Sequence, residues 1–265
     1  MKRIVFKVGS SVLTETTNIA NERMLNLVSL IVEARKKYEV ILVSSGAVAA
    51  GYTAVQLNRS IPESKKVLAS VGQSVLMSSY KNKFDIFDVT ISQILLTEED
   101  FDSRVHTEIF QDIIDRTLRN DILPIVNEND ISTTPDQLFG DNDQLSAHVA
   151  YYTGADMLII LSDIDGYYDS NPKDNPKAQI KKIVTQIKEE ELNQEHTPNS
   201  KFATGGIVTK LKAAQYIMSK NREMFLCNGF DLTSAREFLI DGVHNKGTLF
   251  TSKQEKKEEE KKGKK

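Results

Sequence analysis

The sequence holds a single cysteine, Cys227, in 265 residues, so no disulfide can form within the chain. That cysteine sits in the apolar run MFLCNGF and reads as a buried structural thiol rather than a nucleophile. No apolar run approaches the ~20 residues of a membrane span, and MKRIVFKVGSS at the N-terminus enters a strand pattern instead of a signal-peptide pattern. The net charge of −3 gives no broad electrostatic reason to expect nucleic acid or an anionic membrane as partner. Neither GxxxxGKS/T nor GxGxxG occurs, which removes the P-loop and the Rossmann dinucleotide fingerprint. Internal repeats, Pro/Gly linkers and composition shifts are missing before Lys253, so one α/β domain over residues 1–252, in the cytoplasm, is expected. The final stretch, KQEKKEEEKKGKK, has seven lysines, four glutamates and no apolar residue, and is expected to be a disordered tail.

Short β-branched runs alternate with longer helical patterns, the signature of strand–helix–strand units around a largely parallel sheet. The strands read as Arg3–Val8, Glu39–Ser45, Asp88–Leu96, Ile122–Glu128, Asp156–Asp163 and Arg222–Cys227. Met24, Leu27, Val28, Ile31 and Val32 recur at helical spacing between the first two. Further helices are expected at about Glu63–Lys83, about Asp102–Arg119, from within GDNDQLSA (Gly140 to Ala147), and at Ile207–Ser219. The stretch from Gly166 to Pro198, rich in Asn, Pro and Lys, reads as a surface excursion or lid.

In open α/β sheets the ligand crevice lies beyond the carboxyl ends of the strands. KVGSS follows the first strand here, SSGAVAAG the second, NENDIS and then GDND the fourth, and SDIDG the fifth, while TGGIVTK precedes the last. KVGSS, SSGA and TGGIVTK each combine small residues with a helix start, offering free backbone N–H groups to phosphate or carboxylate oxygens. Singly each is ordinary loop composition. Together, with Lys7 at one end of the set and Lys210 at the other, they describe an anion site with two fixed cations. Asp130, Asp141, Asp143 and Asp163 could carry or orient Mg²⁺, pair with the lysines, or bind a substrate ammonium group.

KVGSSVLT, VSSGAVAAG, NENDIS, GDNDQLSA, SDIDGYYDSNP and TGGIVTKLKAA, in this order and spacing, resemble the amino-acid kinase family, over about Ile4 to Phe250. DIDGYYDSNP is similar to a segment shared across that superfamily. NEND with GDND-x-LSA, and SSGAVAAG upstream, resemble its branch acting on L-glutamate. The resemblance implies a three-layer sandwich with a mainly parallel central sheet, the carbamate kinase-like fold. It implies transfer of the ATP γ-phosphoryl group to the side-chain carboxylate of L-glutamate, with Mg²⁺, as the first step of proline synthesis. By position, Lys7 matches an ATP-contacting lysine and Lys210 the lysine that stabilises the transferred phosphoryl. Asp143 matches an acid that organises both. Ser45, Asp130 and Asn142 match glutamate contacts; Ser162 and Asp163 the adenosine side; Thr204, Gly205 and Gly206 the second nucleotide loop. No protein ligand to a metal is implied. A homo-oligomer, proline as feedback inhibitor and a next-step glutamyl phosphate reductase are the further partners it suggests. Two departures stand out: many bacterial members continue into a PUA domain after the strand matching GTLF (Gly247 to Phe250), and STTPDQLF differs from common versions of a loop bordering the substrate and the proline site.

A side-chain carboxylate has an unperturbed pKa near ~4.3 and is already an anionic nucleophile at neutral pH, so transfer to it needs no general base. His106, His196 and His244 accordingly fall outside the glycine and acid loops, and His148, on the helix after GDND, reads as packing or capping. Two other readings use the same residues: a non-catalytic amino-acid sensor, which would need neither lysine, and a superfamily kinase acting on another acid.

Overall fold

Strand residues that are apolar on both faces require a sheet covered on both sides, and the computed structural model, which describes residues 1–15, 18–133, 142–172, 174–193 and 206–253, has that architecture. Strands β1 (Lys2–Val8), β2 (Tyr38–Ser44), β3 (Ile91–Leu96), β4 (Leu123–Glu128), β5 (Met157–Ser162), β6 (Ile183–Val184), β7 (Glu223–Asn228) and β8 (Thr248–Phe250) form one sheet. Their order is β3-β4-β2-β1-β5-β7-β8-β6. All neighbours are parallel except β7 and β8. The helices are α1 (Ser10–Leu13), α2 (Asn21–Ala34), α3 (Ala47–Ala54), α4 (Pro62–Phe84), α5 (Glu99–Asp102), α6 (Arg104–Arg119), α7 (Asn142–Tyr152), α8 (Glu189–Leu192), α9 (Gly206–Ser219) and α10 (Thr233–Arg236).

Alternation along the strands sorts side chains into two cores. Ile4, Phe6 and Val8 of β1 join Leu42, Ile159, Leu161 and Cys227 on one face, under α2 and the buried Leu76, Tyr80 and Phe84 of α4. Val5, Ile41, Val43, Leu158 and Ile160 form the other, under Leu145 and Val149 of α7 and Leu211 and Ile217 of α9. The expected mainly parallel sandwich is therefore present. Cys227 is fully buried, and that burial pushes its thiol up, away from reactivity. Among the described residues no helix is long and apolar enough to cross a membrane.

Three expectations need correction. The strand expected from Asp88 begins only at Ile91, because Asp88 adopts a left-handed backbone (φ 55°) that extended chain cannot use. The helix expected from about Asp102 to Arg119 starts at Arg104: Ser103 is extended (φ −105°, ψ 123°), separates it from the short α5 and caps α6 by accepting a 3.4 Å hydrogen bond from the His106 amide. The excursion after Gly166 is not purely surface loop, since Ile183 and Val184 pair with Leu249 and Phe250 and give the sheet its last strand. Residues 194–198 of that excursion and 254–265 of the lysine-rich tail lie outside the described residues.

Candidate active site

The chain adds β2 on one side of β1 and β5 on the other, so the order of strands reverses at β1, and the crevice of such a fold opens beyond its carboxyl end. Register brings Val8 level with Ser44 and Leu161, and the loops that follow are tied together there. The Ser45 amide donates to the Val8 carbonyl at 3.1 Å and the Gly9 amide to that of Leu161 at 3.2 Å. Gly46, at φ 104°, turns the chain from β2 into α3, a conformation that favours glycine.

Lys7 shares the β1 face of Val5, and so points into the α7/α9 layer. Its Nζ lies 2.5 Å from Asp143 Oδ1 in the first turn of α7. One turn into α9, Lys210 Nζ donates to Asp143 Oδ2 at 3.0 Å and to the Gly206 carbonyl at 2.8 Å. Thr209 Oγ1 donates to the same carboxylate oxygen at 3.1 Å. All three charged groups are out of solvent: Asp143 is 0% exposed, Lys7 5% and Lys210 7%. Burial alone would raise the Asp143 carboxyl, but the charges of Lys7 and Lys210 more than offset it and hold it at about 2. Among the described residues, two cations sharing one carboxylate leave a net positive charge in a site poorly screened by water, an arrangement suited to binding an anion.

Beside this array, Ser10, Ser45, Gly46, Arg59, Asp130 and Asn142 line a cleft of about 360 Å³. The first-turn amides of α3 have no intrahelical partner and border it. Asn142 Nδ2 donates to the Ser44 carbonyl at 3.0 Å and to Asn127 Oδ1 at 2.8 Å; Asn127 Nδ2 in turn donates to Gln73 Oε1 at 2.9 Å. This amide chain fixes α7 against β2, β4 and α4. Burial raises the Asp130 carboxyl, the hydrogen bond from its own backbone opposing. At the end of β5, the buried Ser162 donates from Oγ to Asp163 Oδ1 at 3.0 Å, and neither residue lines that cleft.

The structure thus brings Lys7, Asp143 and Lys210 into contact, groups Ser45, Asp130 and Asn142 around one cleft, and sets Ser162 and Asp163 apart at the next strand end. Gly206 opens α9 beside Lys210, whereas Thr204, Gly205, Gly140 and Asp141 lie outside the described residues, as does most of STTPDQLF. Among the described residues no three His, Cys, Asp or Glu side chains cluster to hold a metal ion, and both Asp143 oxygens face lysines, so the donor set does not fit a resident divalent cation. His148 is half-buried and packs its ring on Tyr216 at 4.4 Å, with Nδ1 3.0 Å from the Gln144 carbonyl; burial lowers its pKa.

Sequence reasoning passed over Gln73, Tyr80 and Arg59. Asn127, by contrast, gave a signal, as the first residue of NEND at the end of an apolar strand. Tyr80 supports the site from beneath: its hydroxyl lies 2.9 Å from Ser44 Oγ with both side chains buried. Tyr80→Phe should cost about 1 kcal/mol of stability, read from the urea midpoint, because Ser44 Oγ keeps its second partner, the Ser45 carbonyl. A shift of three times that size would mean Tyr80 packs differently.

The model of the amino acid kinase family matches residues 2–228. The chain is 49% identical over 255 residues to a glutamate 5-kinase of Wolinella succinogenes, covering 94% of this chain and 98% of that one. A glutamate 5-kinase of Leishmania donovani is 46% identical over 253 residues, covering 96% of each. Among solved structures, UMP kinase from Ureaplasma parvum superposes with a TM-score of 0.63 at 18% identity, covering 94% of this chain and 98% of that chain, which speaks for the fold alone.

Proposed function

The chain belongs to the amino acid kinase family, and from that premise we propose that it is an enzyme with glutamate 5-kinase activity, transferring the γ-phosphoryl group of ATP to the side-chain carboxylate of L-glutamate. The observation that carries this reading is the buried Lys7–Asp143–Lys210 array, positively charged overall, beside the cleft of Ser45, Asp130 and Asn142. A γ-carboxylate oxygen attacks the γ-phosphorus, the bond from that phosphorus to the β–γ bridging oxygen breaks, and ADP leaves with the electron pair. The product is L-glutamyl 5-phosphate, which enters proline synthesis.

No proton is removed from the nucleophile, so the barrier to be met is repulsion between anions, each unit pair costing about 4 kcal/mol at ~4 Å and an effective dielectric near ~20. Lys7 on the nucleotide phosphates and Lys210 on the moving phosphoryl group oppose that repulsion, and Asp143 keeps both ammonium groups aimed. Ser45, Asp130 and Asn142 hold glutamate. Ser162 and Asp163 take the adenosine side, with Thr204, Gly205 and Gly206 as the second nucleotide loop. Mg²⁺ arrives as the counter-ion of ATP rather than as a resident ion. Proline as end-product inhibitor, association into a homo-oligomer and a downstream reductase as recipient of the acyl phosphate complete the proposal.

The test is Mg²⁺-dependent ADP release with L-glutamate, L-aspartate or N-acetylglutamate, with hydroxylamine trapping the acyl phosphate. Glutamate-dependent turnover yielding the hydroxamate is the expected result. Saturable glutamate binding without turnover would instead identify a sensor, and turnover only with aspartate or N-acetylglutamate a kinase for another acid.

A further inference from the structure

We propose that Arg59 recognises the α-carboxylate of the amino-acid substrate and thereby sets specificity for a dicarboxylic amino acid over a monocarboxylic one; the inference rests on the glutamate reading above. A glutamate molecule brings two carboxylates and one ammonium group. Its reacting γ-carboxylate belongs beside Lys7 and Lys210, which share Asp143 as partner and are not themselves part of the cleft lining. Among the described residues, the ionisable side chains lining the cleft are Arg59, Glu128 and Asp130, that is, one cation and two acids. The acids match the ammonium group, which leaves the second carboxylate for Arg59.

Arg59 lies in the turn between α3 and α4. Its guanidinium carbon stands 3.5 Å from the centre of the Tyr52 ring, a cation–π stack that holds a long side chain in place at the cleft wall. Among the described residues no carboxylate forms an ion pair with it. A stacked guanidinium with open edges offers a planar pair of N–H donors, the geometry that binds a carboxylate bidentately. Exposure suits the role, because the ligand must reach this residue from solvent. Cation array, acids and Arg59 would then each meet one charged group of the substrate: the γ-carboxylate, the ammonium group and the α-carboxylate.

Two analogues separate the contacts. 4-Aminobutyrate is glutamate without its α-carboxylate, and glutarate is glutamate without its amino group. In steady-state assays of ADP release, Arg59→Ala should lower kcat/KM about 30-fold for glutamate and by a similar factor for glutarate, while leaving the low value for 4-aminobutyrate within about twofold. Arg59→Lys, which keeps the charge but not the fork, should recover part of the loss. An Arg59→Ala variant that keeps the wild-type preference for glutamate over 4-aminobutyrate would overturn the assignment and move the α-carboxylate to the α3 amides. An equal loss on all three substrates would overturn it too, marking Arg59 as structural. If the wild-type chain turns over none of them, it is the glutamate reading that fails, and the two failures are distinct.

Discussion

Asp143→Asn should lower kcat about 10³-fold while moving KM for glutamate by less than about fivefold, the pattern of an interaction that matters most in the transition state. The substitution is isosteric and keeps one oxygen for Thr209 and Lys210, but it removes the negative charge that, among the described residues, the two lysines share. Their ammonium groups, almost wholly out of solvent, would then repel each other and leave the positions from which they meet the phosphates. Acid stability gives an independent readout. Because the folded carboxyl titrates at about 2 against an ordinary 3.8, the unfolded chain binds the proton more readily. The stabilisation is therefore complete above about pH 4 and is lost as pH falls towards about 2, amounting to about 2 kcal/mol in the wild type. Urea midpoints across that window should fall less steeply in Asp143→Asn than in the parent. An unchanged kcat would remove Asp143 from the lysine-organising role, whatever the midpoints did.

What could be read ahead of the structure follows from periodicity. Lys7 was legible because a strand alternates faces: the lysine stands in phase with Val5 and one residue from the turn, so it has to enter a core layer at its crevice end. Asp143 and Lys210 were legible because each follows a glycine-bearing loop, Asp143 in the first turn of its helix and Lys210 one turn into its own. That one carboxylate would join both lysines came from the family resemblance and not from periodicity, since the contact is set by how α7 and α9 pack, a pairing of segments 67 residues apart. Arg59 illustrates the same limit. In the sequence it is one charged residue in a polar turn, and only the fold lays that turn against Asp130 and Asn142. The strand Ile183–Val184 was hidden for a different reason, being two residues long in a polar stretch and held by pairing with β8 rather than by its own pattern.

Gly72 shows how a helix interior can control the cleft at a distance. A glycine there costs about 1 kcal/mol relative to alanine on propensity alone, so Gly72→Ala would stabilise an isolated helix. Here it should do the reverse. A Cβ on Gly72 would fall inside contact distance of the Ala47 carbonyl oxygen and the Gly51 amide nitrogen, and one on Gly51 would collide with the Leu68 carbonyl. α3 and α4 therefore touch backbone to backbone, with no flexible side chain to move aside, and the added methyl has to push the helices apart. The expected cost is about 3 kcal/mol of stability. The site should feel it as well, because Gly46, Ala47 and Val48 line the proposed substrate cleft from the start of α3. KM for glutamate should rise several-fold while KM for ATP changes little, since the residues proposed for the nucleotide side lie on β1, at the end of β5 and on α9 rather than on α3 or α4. Gly154→Ala supplies the contrast: at φ 69° it carries left-handed strain of about 1 kcal/mol, but its added methyl meets nothing within 4 Å. Urea midpoints of the two variants side by side decide the matter. If Gly72→Ala is no more costly than Gly154→Ala, the helices do not meet through their backbones and α3 is not positioned by α4.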